Sequence, residues 1–60
     1  MLTGLPGDPV ILLSLINTRL RDYYKTLDEL CEDMDISAAE LIQKLKSIDY
    51  EYDAARNQFV

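Results

Sequence analysis

Sixty residues with 48% hydrophobic side chains make one small domain, too apolar for a disordered segment and too short for a second core. One cysteine and no histidine exclude an internal disulfide and the common zinc sets, and a net charge of −5 opposes binding to phosphate backbones. A chain this small is marginally stable, so it calls either for well-packed helices or for self-association.

Met1 to Gly7 holds two glycines and a proline and reads as a flexible leader, leaving 8–60 as a single helical domain. The first basic residue is Arg19, so a secretory n-region is missing. The longest unbroken apolar run, Val10 to Leu13, falls far short of the ~20 residues a membrane span needs. A lone thiol, Cys31, fits a reducing compartment, so the expected location is cytoplasmic.

Asp8-Pro9 opens a first helix, because Asp8 can accept a bond from a free N–H and proline suits the first helical position. The helix is predicted to run to about Tyr24, with Leu13, Ile16, Leu20 and Tyr23 or Tyr24 on one face. Its first half is apolar nearly all round. Val10, Ile11, Leu12 and Leu15 are therefore the candidate self-association residues, unless a later segment packs on the second side. Asn17, four residues from both Leu13 and Arg21, is expected to turn inward and find backbone partners in the C-terminal segment. Arg21 and Asp22 adjoin in sequence and are not expected to face each other.

A second helix is predicted over 26–34 and a third over 37–48, each opened by a capping box, Thr26 with Glu29 and Ser37 with Glu40. Asp35 falls in the turn between them, where it must tolerate the left-handed conformation. Ile36 can staple onto Leu41, and Cys31 reads as a small buried hydrophobe. The exposed side of the second helix gathers Asp28, Glu29, Glu32 and Asp33, the candidate partner-binding residues.

From Asp49 to Asp53 acids alternate with Tyr50 and Tyr52, the period of a strand. Asp49, Glu51 and Asp53 invite a hard-cation reading, but Ala54 and Val60 stand where a calcium loop has Gly and Glu, and a solvated strand is the better account. Ala54 to Asn57 is predicted to turn, with Asn57 at positive φ, and Gln58 to Val60 to return with Phe59 inward. The four tyrosines are read as closing a core in preference to lining a groove. The expected fold is mainly α: a three-helix, helix-turn-helix-like unit with a short C-terminal β-hairpin, winged-helix-like in outline.

The stretches DPVILLSLINTRLRDYY, LDELC and IDYEYDAARNQFV resemble the small bacterial proteins grouped as domain of unknown function 4250. The likeness runs from Asp8 to Val60, with NTRLRDYY and NQFV its more specific parts. It implies a complete, stand-alone protein of anaerobic gut-type bacteria, and it carries no catalytic or binding residue over to this chain.

An enzyme is not expected: there is no histidine, and Ser14, Ser37 and Ser47 have no visible base. Neither a cofactor nor a small-molecule substrate is indicated. A helix-turn-helix would present Ser37, Ala38, Ala39, Ile42 and Gln43 to bases, and only Gln43 can make a bidentate base contact. From Thr26 onward nine acids face Lys44, Lys46 and Arg56, which is the wrong charge for that task. The expected function is a small acidic protein-interaction module, with self-association as one mode. The alternative is a winged-helix-like DNA-binding or transcription-regulatory protein.

Overall fold

The computed structural model describes residues 5–60, and the expected leader lies outside the described residues up to position 4. Leu5 is half-buried against the core, so the end of the leader is packed. Three helices follow, α1 (Pro9–Asp22), α2 (Leu27–Met34) and α3 (Ala38–Lys46), then a two-stranded antiparallel hairpin of β1 (Tyr52–Asp53) and β2 (Gln58–Phe59). The mainly helical fold with a C-terminal hairpin is the one the periodicities predict.

Helix starts follow the side-chain caps. Asp8 accepts from Val10 N at 2.8 Å, Thr26 from Glu29 N at 3.1 Å and Ser37 from Glu40 N at 3.3 Å. The second arm of the Thr26 box is displaced by one residue, since Glu29 accepts from Lys25 N instead of from the cap's own N–H. Helix ends are set by backbone geometry. Ile36 N reaches Cys31 O and Asp35 N reaches Glu32 O, while Tyr50 N reaches Leu45 O and Asp49 N reaches Lys46 O. Both are Schellman closures, and each places an aspartate, Asp35 at φ 54° and Asp49 at φ 65°, where glycine is usual.

The core gathers Leu12, Ile16, Leu20, Leu27, Leu30, Cys31, Leu41, Leu45 and Phe59. On α1 the buried row is Leu12, Ile16 and Leu20 at four-residue spacing, with Leu13 only half-buried. Ile16 and Leu20 lie on the predicted face, while Leu12 takes the place predicted for Leu13, because a helix apolar on most of its surface leaves that choice to its neighbours. α1 touches α2, α3 and β2, so the hairpin covers the second side of the helix.

The hairpin is short but firmly tied. Tyr52 pairs with Phe59 and Asp53 with Gln58, and Glu51 and Val60 exchange both backbone bonds, at 2.9 and 2.8 Å. The Tyr52 and Phe59 rings lie 5.5 Å apart, tilted by 54°. Asp53 turns the chain by accepting from Ala55 N and Arg56 N, and Asn57 completes the turn at φ 54°. Asp49, held in the turn that closes α3, does not join the strand. The three acids do not form the row that alternation suggested. Among the described residues no helix is long and apolar enough to cross a membrane.

Candidate functional site

Two asparagines and a tyrosine lock the hairpin to the helices. The Asn17 amide donates to Phe59 O at 3.1 Å and accepts from Phe59 N at 2.7 Å, fulfilling the inward, hairpin-directed role expected of it. Asn57 donates to Leu20 O at 3.1 Å and Tyr24 O at 2.9 Å, satisfying carbonyls at the end of α1 and in the linker beyond it. Its amide oxygen accepts from the Tyr52 hydroxyl at 2.6 Å, and that hydroxyl accepts in turn from Leu27 N, the first N–H of α2, at 3.2 Å. Sequence reading found the positive φ of Asn57 and missed this bridge. Its partners lie 33 and 37 residues away, and no local signal announces them.

This frame sets the position of α2. Its buried side presents Leu27, Leu30 and Cys31, and its other side holds Asp28, Glu29, Glu32 and Asp33, all exposed, within about 140° of helical arc at ~100° per residue. Glu29, Glu32 and Asp33 meet Tyr24 around a shallow depression, while Asp28 stands apart from it. Tyr24 donates its hydroxyl to Asp33 at 2.5 Å. That bond, with burial and the Asp33 charge, raises the Tyr24 hydroxyl pKa above the usual tyrosine value, against a smaller opposing effect of Arg19. No cation pairs with any of the four acids among the described residues. Tyr24 was missed as a member of this surface because it lies beyond the end of α1, in the linker.

Two bases of α1 are engaged elsewhere. Arg21 donates to both oxygens of Asp22, at 2.8 and 3.0 Å, which corrects the expectation that these neighbours do not meet. Asp22 closes α1, where the long Arg21 side chain can fold back over the helix end. The hydrogen bonds hold the Asp22 carboxyl below its ordinary pKa and the Arg21 guanidinium above its own. Arg19 lies over the Tyr23 ring, 5.4 Å from its centre.

The other candidates are dispersed. Of the four self-association residues, Val10 and Ile11 are 62% and 57% exposed, whereas Leu12 is 0% exposed and Leu15 half-buried. Leu12 therefore leaves that set, because it fills the core between α1 and its neighbours. On α3, Ala39, Ile42 and Gln43 are exposed, Ala38 is half-buried, and Ser37 is used as a cap. Gln43 borders a second shallow groove with Glu40, Lys44 and the Pro6–Gly7 segment. Cys31 is buried, and burial, reinforced by the Asp28 charge, raises its thiol pKa, which suits packing and disfavours the thiolate.

Comparison with family models matches residues 6–59 to the family described as Domain of unknown function (DUF4250). The chain belongs to that family. Neither the curated proteins nor the solved structures contain a match to it.

Proposed function

We propose that this member of the family is an acidic protein-interaction module that receives a basic segment of a partner protein on the exposed face of α2. One observation carries the reading. Glu32 and Asp33 occupy the last turn of α2 and Asp35 caps it, with no basic residue in that turn. The negative end of a helix disfavours anions by about 0.3–1 kcal/mol each. A domain of 60 residues has little stability in reserve, and although Asp33 is repaid by the Tyr24 hydroxyl, Glu32 has no such partner among the described residues, and a local rule broken there points to a functional demand. The docked group would be cationic, because three carboxylates without a cation partner among the described residues surround the Tyr24 ring, offering charge and an aromatic face to an ammonium or guanidinium, with Asp28 beside them on the same face.

Self-association enters this proposal only through Val10, Ile11 and the edge of Leu15, a small apolar step beside the ~800 Å² per partner of a standard interface. We assign no catalytic role, and place the protein in the cytoplasm on the strength of its single unpaired thiol.

The test is affinity capture from the host, read by mass spectrometry, with the wild type beside Glu32→Gln/Asp33→Asn. Loss of a captured basic protein in the double variant, and on raising salt, supports the reading; identical capture sinks it. The winged-helix-like outline and the exposed Gln43 favour a second reading, duplex binding through α3. An electrophoretic shift with random duplex at ordinary salt would replace the first reading with that one.

A further inference from the structure

We propose that Tyr52 is the positioning residue of the α2 face: its hydroxyl, held between Asn57 and the first N–H of α2, fixes the linker that carries Tyr24 and with it the rim of the acidic depression. The proposal rests on the reading of α2 as a docking face and names what sets its shape.

The path is continuous. Tyr52 holds the Asn57 amide oxygen at 2.6 Å, and the same amide holds Tyr24 O at 2.9 Å. Tyr24 then reaches Asp33 through its hydroxyl, and the adjoining Lys25 N–H draws back Glu29. Two of the three acids around the depression are thus tethered to linker residues, and the hairpin grips that linker at Tyr24. Meanwhile Leu27 N, bonded to Tyr52, ties the start of α2 to the same point. Packing does not require this hydroxyl. A phenyl ring would stack on Phe59 equally well, so the oxygen's contribution lies in its two polar partners.

Tyr52→Phe in the full chain provides the test. Circular dichroism monitors folding, and tyrosinate absorbance follows Tyr24, identified by difference against Tyr24→Phe. The expected result is retained helix content with Tyr24 ionising at lower pH than in the wild type, as its bond to Asp33 slackens. Binding of an oligolysine peptide should weaken several-fold in parallel. A Tyr52→Phe that keeps its helix content through the whole titration and whose Tyr24 ionises as in the wild type overturns the proposal; circular dichroism followed at each pH separates a slackened bond from alkaline unfolding, which would also lower that midpoint. Should Tyr52→Phe fail to fold, Tyr24→Phe reads the same linkage from its other end, because coupling between sites is reciprocal. Hydrogen exchange at the Leu27 amide should then quicken, and unchanged exchange overturns the assignment. An oligolysine peptide that ignores the wild type would sink the docking reading, while the ionisation of Tyr24 would still decide the role of Tyr52.

Discussion

Both polar ends of the Asn17 amide meet the backbone of Phe59, a residue only 2% exposed. Truncation to alanine strands a donor and an acceptor at once, and each buried polar group left without a partner costs on the order of 1–3 kcal/mol. Asn17→Ala should therefore lower stability by about 2 kcal/mol, read as a fall in the urea midpoint with little change in slope. Asp49 makes the opposite case. Its φ of 65° is a conformation that glycine adopts without a Cβ penalty, so Asp49→Gly should raise stability by about 0.5–1 kcal/mol, seen as a higher thermal midpoint. An unchanged midpoint would mean that the carboxylate contributes something at the end of α3 that glycine cannot replace.

At the level of elements, α2 joins two demands that pull apart. Its first turn carries Asp28 and Glu29, in accord with the helix dipole, and its last turn carries Glu32 and Asp33 against it. Glu32→Lys should stabilise the domain by about 0.5 kcal/mol at low salt, and the gain should fade as salt screens it. If the proposed function holds, the same change weakens partner capture, so stability and binding move in opposite directions. The starts of the helices were legible because a cap is a local event: Asp8, Thr26 and Ser37 each bond within three residues. The burial of Leu12 ahead of Leu13 on α1 was not, since an all-round apolar segment holds no record of which side its neighbours will take. Nor was the left-handed turn at Asp49 that closes α3, where alternating acids and tyrosines look like the start of a strand. Of the candidate surface, the four acids of α2 were visible from spacing alone, whereas Tyr24 joined them only through the linker geometry that Asn57 imposes.

Across the whole molecule, the helical part and the hairpin stand or fall together. Phe59 belongs to the same core as the leucines of all three helices, and the Asn57–Tyr52 pair joins the end of α1 to the start of α2. A domain of 60 residues has no spare core with which to tolerate a half-detached hairpin. The pairing of Asn17 with Phe59 then has a second consequence, for how copies of the protein behave towards one another. Phe59 N and O lie on the side of β2 turned away from β1, where a further strand could add, and the Asn17 amide occupies that position. A helix side chain thereby closes the β2 edge of the sheet, leaving the apolar tail no open template for intermolecular growth on that side. Asn17→Ala should accordingly form thioflavin-positive fibrils on prolonged incubation, faster in high salt, where the net charge of −5 no longer keeps copies apart. A core variant of equal stability, such as a truncated Ile16, should stay clear under the same conditions; fibrils at equal rates in both would assign the effect to unfolding alone.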